Sequence, residues 1–457
     1  MEVENGQQRR VPAFDFSRNN DVHQKEHENC CEIQMKSKMQ NNSVAPSALV
    51  IMATSMPLPS YFSAFEEDIH LYQINFNIAC IIGALFGAYA IRQTSKNLIH
   101  IVTSILTIVS GIVFCASPNY FMSMVLFRYL QGLAFGVATV TILTTASEVA
   151  QTKYRGIIAS LEPFSIATGY FTYSIIASSL VDDGSLLDSI CGYLIILYGA
   201  IALLTIIISV ESPLYLLSQN KEEDALLAIQ KLQKEETLTK DVFKQYYEIK
   251  DLIADDKTRT FKKNLQEGIV PFIKITVIRC LNSLTFNFLV MSTSSGFETY
   301  MQAIYGSGRW ISVLLTTFFM IESVGRRKLL ASSCIMSTVN LLVIVLVNSG
   351  IDSYIWIPIV FLQFFNGFGQ VSTAVYMGEA FSVSVKPLYI FLILLLENLV
   401  EIIIAATCYD IFNTLYYASL FILFACSIPF SLYMFPETAG LPLKESRWKF
   451  LNWITKF

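Results

Sequence analysis

Residues Phe318–Ser333 read FFMIESVGRRKLLASS. Three consecutive cations, Arg326, Arg327 and Lys328, stand between two long apolar runs. A soluble core does not bury three adjacent charges, and a hydrocarbon interior tolerates them less. They suit a chain that has just left one membrane span and is about to enter the next, where Lys and Arg reach water and headgroups.

The rest of the sequence fits that reading. Of 457 residues, 53% are hydrophobic and 15% charged, against about 25% charged in an average soluble domain. The apolar residues fall into blocks about 20 residues long, enough for a helix to cross a ~30 Å hydrocarbon layer. Twelve blocks are expected, beginning near Ser43, Ile74, Leu98, Tyr120, Ile157 and Ile190, then near Ile269, Ala303, Leu329, Tyr354, Pro387 and Leu415. The fold class is therefore an all-α polytopic membrane protein with two groups of six helices. The expected layout is a disordered cytoplasmic N-terminus (1–45), a six-helix bundle (46–210), a charged helical loop (211–268), a second six-helix bundle (269–435) and a cytoplasmic C-terminus (436–457). No apolar h-region follows the first charges, so the leader reads as polar and disordered rather than as a cleaved signal.

Charge sets the orientation. Arg92, Lys96, Lys153, Arg155, the triplet Arg326–Lys328, Lys386, Lys444, Arg447 and Lys449 all fall on one side. The opposite loops carry Glu66, Glu67, Asp68, Asp182, Asp183 and Asp188, with Arg309 as the one cation expected near that side. The positive-inside rule places both termini and the long loop in the cytoplasm. Seven cysteines, among them Cys80, Cys191 and Cys334, lie in apolar blocks and read as small buried hydrophobes.

The two groups repeat. Glu148 and Glu379 stand 231 residues apart, as do Arg155 and Lys386, and Gly136 and Gly367. Glu211 and Glu437 stand 226 apart. Four landmarks in the same order imply duplication of a six-helix unit, the parallel repeat of a major-facilitator carrier.

Several stretches make the resemblance specific. ESVGRRKLL after span eight, ESPLYLL after span six, FPETAGLPLKE after span twelve and RYLQGLAFG in span four together resemble the sugar porters of the major facilitator superfamily. SMPLPSYF in span one, with Pro59, resembles the insect trehalose-transporter-like branch. The resemblance implies alternating-access transport of a hexose- or trehalose-class solute. It also implies two gating clusters, Arg128, Glu148, Arg155 and Glu211 in one half and Arg326, Arg327, Glu379 and Glu437 in the other. Such a network can bias a two-state equilibrium by a few kcal/mol.

The chain departs from that family along the expected solute path. Amides offer donor and acceptor together to hydroxyl groups, and ring faces cover sugar C–H surfaces. Asn282 and Asn287 keep the family's spacing in span seven, but Leu281 stands where its first glutamine is expected, Pro163 replaces a glutamine in span five, and Ala374 stands at a tryptophan position with Tyr376 two residues on. New polar groups appear: Glu162 beside Pro163, and Glu397, Asn398 and Glu401 in span eleven, the two acids one helical turn apart. Acids at membrane depth mark solute or proton paths. Asn282, Asn287, Tyr376, Glu397, Asn398 and Glu401 are therefore the expected solute-binding residues. Span one lacks an acid, which favours facilitated over proton-coupled transport.

No nucleophile elbow, phosphate loop or metal spacing occurs, so neither an enzyme nor a cofactor is expected. The membrane content leaves no room for nucleic-acid binding. The expected partners are a small sugar-like solute and the lipid bilayer, with the chain acting as a monomer in the plasma membrane. Two alternatives stay open: a non-transporting sensor on a carrier fold, and a carrier of cationic organic solutes using the intramembrane carboxylates.

Overall fold

The computed structural model describes residues 42–57, 69–117, 120–180, 184–233, 239–292, 299–348, 356–407 and 414–452. The leader cysteines, Pro59, Glu66, Glu67, Asp68, Asp182 and Asp183 lie outside the described residues. The described residues form helices and connecting turns. The first half contains α1 (Ala45–Ser55), α2 (Ile69–Gln93), α3 (Lys96–Ala116), α4 (Phe121–Val149), a short α5 (Arg155–Ala159) leading into α6 (Leu161–Ser179), and α7 (Gly184–Ile206). Three helices follow outside the spans: α8 (Pro213–Ser218), α9 (Glu222–Gln233) and α10 (Lys240–Thr258). The second half contains α11 (Phe261–Ser292), α12 (Thr299–Leu315) with a π-turn at Thr316–Met320, α13 (Arg326–Asn348), α14 (Trp356–Glu379), α15 (Lys386–Thr407) and α16 (Thr414–Met434); α17 (Leu443–Phe450) closes the chain.

Among the described residues, eight helices are long and apolar enough to cross a membrane. The remaining expected spans correspond to α1, α5–α6, α12 and α14. Of these, α6 and α14 are diluted by residues such as Glu162, Gln363, Asn366 and Gln370, which are buried inside the protein. The outward surface is the reverse: Leu85, Phe86, Leu204, Phe319, Leu346 and Leu415 are exposed on the spans. A water-facing protein does not display apolar side chains on so many helices, whereas a lipid-facing one must.

Small residues set the tightest packing. A Cβ added at Gly136 would lie 2.2 Å from the Cys80 carbonyl, and one at Gly83 would lie 2.3 Å from that of Leu133. Only glycine lets α2 and α4 approach so closely, and dispersion at short range is what holds helices together where no hydrophobic effect acts.

The repeat is visible in the packing. Between the halves, α2 runs along α15 and α6 along α12. In duplicated numbering these are span two against eleven and span five against eight, which are the same interface rotated by the pseudo-two-fold axis. Within the charged loop, α8, α9 and α10 share a small core of Leu214, Leu217, Ala225, Ile229, Val242, Tyr246 and Ile249, with Val383 of the second half against it. The 32-residue α11 is about 48 Å long at 1.5 Å per residue. It begins in the loop and continues across the membrane, so the boundary expected at residue 269 falls inside one continuous helix.

Candidate solute path and gating clusters

A buried charge triad joins the halves. Arg279, two turns into the apolar part of α11, is bracketed by two carboxylates. Its Nη2 donates to Glu162 Oε1 at 2.6 Å, and its Nε donates to Glu397 Oε1 and Oε2 at 2.9 and 2.8 Å. The side chains of Arg279 and Glu162 are 4% and 0% exposed. Glu162 comes from the first half, Arg279 and Glu397 from the second. Local structure explains each position. The helix breaks at Ser160 and restarts as α6, which puts Glu162 in its first turn, where the helix dipole favours an anion. On α15, Glu397 and Glu401 share a face because they are four residues apart. One turn along α11 from Arg279, the Ser283 hydroxyl donates to Glu401. Two helices running the same way are thus paired rung by rung.

Burying three charges costs several kcal/mol per ion unless each is hydrogen-bonded. Arg279 meets that condition with its fork of donors. Glu401 meets a hydroxyl, and among the described residues no cation lies within ion-pair distance of it.

A polar wall continues from the triad. Arg309 of α12 is 2% exposed. It donates to Gln370 Oε1 at 3.0 and 2.8 Å and to Gln363 Oε1 at 2.9 Å, both from α14. Arg309, expected near the outer side, is buried, and two amides of α14 hold it inside the second half. Next to it, Trp310 stacks on Phe171 of α6 at 4.8 Å, and its Nε1 donates to Thr168 at 3.2 Å. Asn282 lies against Gly369, where an added Cβ would come within 2.9 Å of Asn282 Oδ1. Its Nδ2 has no hydrogen-bond partner, and neither end of the buried Gln131 amide has one. Buried polar groups are seldom left unpaired, and amides waiting in this way suit a ligand rich in hydroxyls.

At the basic end each half repeats one motif. In the first half, Glu211 Oε1 accepts from Lys96 N and Ser212 N, both at 3.2 Å, while the Lys96 ammonium pairs with Glu148. In the second, Glu437 accepts from Arg326 N and Arg327 N at 3.1 Å each, while Arg326 pairs with Glu379 at 3.4 Å and Glu322 at 2.8 Å. Each acid caps the first turn of the helix opposite it. Gly325, with φ +95, makes the turn that admits Glu437; a Cβ there would sit 2.4 Å from Glu437 Oε2.

The two halves then exchange bases. Arg155 Nη1 donates to the Leu441 carbonyl of the second half at 3.0 Å. Its repeat partner Lys386 donates to Ser147 Oγ of the first half at 2.8 Å. Gly156 N adds a bond to Glu322 Oε1 at 2.8 Å, and Arg92 reaches the Ser384 carbonyl. These contacts hold the halves together at the basic end.

The expected residues sort accordingly. Glu148, Glu211, Arg326, Arg327, Glu379 and Glu437 gather at the basic end. Arg155 does too, but it faces the second-half acids. Arg128 does not: it lies on the same helix as Glu148, about 30 Å away by helical rise, close over the ring of Phe127 at 5.9 Å. Lys96, outside the expected clusters, supplies the cation that pairs with Glu148. On the solute path, Glu397, Glu401 and Asn282 come together around Arg279. Asn398 lies alongside but spends its Nδ2 on the Leu394 carbonyl at 2.7 Å. Tyr376 sits away from the triad, fully buried, donating to the Pro436 carbonyl at 3.0 Å and packed on Phe435 and Phe450. The side chain of Asn287 lies outside the described residues. Sequence reading missed Arg279 and Glu322. A cation interrupting the run ITVIRCLNSL was signal enough for the first, because ionisable residues inside a span are rare.

Comparison with known proteins gives the family and the fold. Residues 36–450 match the family described as "Sugar (and other) transporter". The glucose transporter GlcP of Staphylococcus epidermidis is 24% identical over 434 residues, covering 89% of this chain and 92% of its own. The major myo-inositol transporter IolT of Bacillus subtilis is 23% identical, covering 84% and 85%. Among solved structures, the proton:xylose symporter XylE of E. coli, bound to 6-bromo-6-deoxy-D-glucose, superposes with a TM-score of 0.71 at 17% identity, covering 92% of this chain and 98% of its own.

Proposed function

The chain belongs to the sugar (and other) transporter family, and from that premise we propose that it carries a sugar or sugar-like polar solute, of hexose, polyol or disaccharide class, across a membrane by facilitated alternating access. The observation that carries this reading is the ion pair between Glu162 of the first half and Arg279 of the second, deep between the bundles. It closes the basic side of the path and has to part for the solute to leave. The Glu162–Arg279–Glu397 triad and the base exchange at the rim are then two gates in series. Asn282, Glu397 and Glu401 face the solute. Both termini lie in the cytoplasm, and the protein works as a monomer in the plasma membrane.

Uptake of radiolabelled glucose, myo-inositol and trehalose into expressing oocytes tests this. Saturable uptake of one of them, unchanged by a proton ionophore, is the expected result. Binding without flux for all three would replace it with the sensor reading. A second reading rests on Glu401, which has no cation within ion-pair distance among the described residues: the solute carries a positive charge. Competition by organic cations, lost in Glu401→Gln, would establish that alternative.

A further inference from the structure

A cavity of about 290 Å³ opens at the basic end, away from the solute path. Its walls come from both halves and from the loop helices, among them Arg92 of α2, Glu148 of α4, Asp256 and Lys257 of α10, and Val383 and Ser384 just before α15. The charges are not equivalent. Glu148 is occupied by Lys96 and by Ser212 Oγ at 2.8 Å. Asp256 accepts from Asn264 Nδ2 at 3.0 Å, Ser384 N at 3.1 Å and the Ser382 hydroxyl. Lys96 thus neutralises Glu148, whereas Asp256 is held by neutral donors and keeps its charge near Arg92; the lining cations Arg92, Lys96 and Lys257 still outnumber the two acids. Arg92 gives one N–H to the Ser384 carbonyl. Among the described residues, neither Arg92 nor Lys257 has a carboxylate within ion-pair distance. Two cations thus flank a recess that also has an apolar wall of Ile91, Leu214, Ile253, Phe261, Val383 and Pro387. Lys262 and Lys263 follow Phe261 in the first turn of α11.

We propose that this recess binds a phosphate group attached to an apolar body, with Arg92 and Lys257 on the phosphate and the aliphatic wall against the apolar part. The recess lies where α2, α11 and α15 leave the bilayer, the depth of lipid headgroups, and basic pockets between helix ends are suited to anionic headgroups. A soluble aryl phosphate presents the same chemistry. The recess needs residues of both halves, so an occupant binds only while the basic end is shut; that consequence rests on alternating access, but binding itself does not.

The test uses the full chain in nanodiscs or detergent. Phosphatidic acid at about one tenth of the lipid, with phosphatidylcholine as the neutral reference, is scored by lipid retained in native mass spectrometry; phenyl phosphate is titrated by calorimetry. We expect at least one probe to bind the wild type, and Arg92→Gln with Lys257→Gln to weaken it about tenfold or more. Retention of phosphatidic acid alone identifies the lipid as the source, and binding of phenyl phosphate alone identifies the soluble one. Lys257→Gln by itself removes an exposed side chain with no structural bond, so it keeps the fold and should weaken binding several-fold, whereas Lys240→Gln, at the far end of α10, should not. Absence of binding by both probes, or equal binding by the Lys257→Gln and wild-type chains, overturns the proposal. Because no readout depends on solute flux, its failure is distinct from failure of the transport reading.

Discussion

Arg279 Nη2 and Glu162 Oε1 stand 2.6 Å apart, in opposite halves of the molecule and almost without solvent exposure. An ion pair at that depth contributes little net stability, since desolvation offsets most of the attraction. Removing one partner is another matter, because it strands a buried charge. Its position between bundles ties it to conformational change.

Glu162→Gln should lower thermal stability by about 3 kcal/mol or less, because Glu397 still holds Arg279, while Arg279→Gln should cost the full 3–5 kcal/mol expected for a broken buried pair. The double variant Glu162→Gln with Arg279→Gln should lose less than the sum of the single effects. Melting of the purified protein with a double-mutant cycle checks this. Strict additivity would mean that the pair is not coupled.

The base exchange at the rim predicts a shift in state rather than a loss of fold. Arg155→Met and Lys386→Met each remove a cross-bundle hydrogen bond from a charged donor, worth about 1.5–3 kcal/mol. Each should move the balance towards opening at the basic end by roughly tenfold or more. Spin labels on α4 and α14 near that end should report a longer distance in both variants. Unchanged distances would reduce these contacts to a solvated rim.

Glu437 accepts four backbone N–H groups, from Arg326, Arg327, Thr438 and Ala439, whereas Glu211 accepts two. Glu437→Ala should therefore destabilise the protein more than Glu211→Ala, by about 1–3 kcal/mol for each buried donor left unpaired. Thermal unfolding of the two variants side by side decides it.

Gly136→Ala should sharply reduce folded protein, since its Cβ would meet the Cys80 carbonyl backbone at 2.2 Å. At Gly440 a Cβ meets nothing within 4 Å, although φ is +70. Gly440→Ala should cost only about 1 kcal/mol of backbone strain. Yield of monodisperse protein separates the two cases.

Much of the fold could be read in one dimension. Span length, the run of cations after span eight and the 231-residue spacing of Glu148 and Glu379 are local or periodic quantities, and hydrocarbon imposes them directly on sequence. The place of Glu437 at the basic end and of Glu397 within a span followed from the same signals. Helical rise, also a one-dimensional quantity, separates Arg128 from Glu148; the family pattern had obscured it.

What the sequence could not carry is which charge meets which. Arg155 and Lys386 look like members of their own clusters, yet each reaches into the opposite half. Tyr376 looks like a ring for a sugar, yet its hydroxyl is spent on Pro436. Nothing in one dimension pairs Arg309 with Gln363 and Gln370, yet these two amides hold it. Such pairings depend on the tilt and rotation of one helix against another, set by backbone contacts such as Gly136 on Cys80 and by the crossing of two bundles. By itself the sequence determined twelve helices, their duplication and their charged end, because the solvent reads those features residue by residue. Only the tertiary structure decided that Glu162, Arg279 and Glu397 form one site, because Arg279 meets Glu397 only where α11 packs on α15, and meets Glu162 only where the two halves pack together.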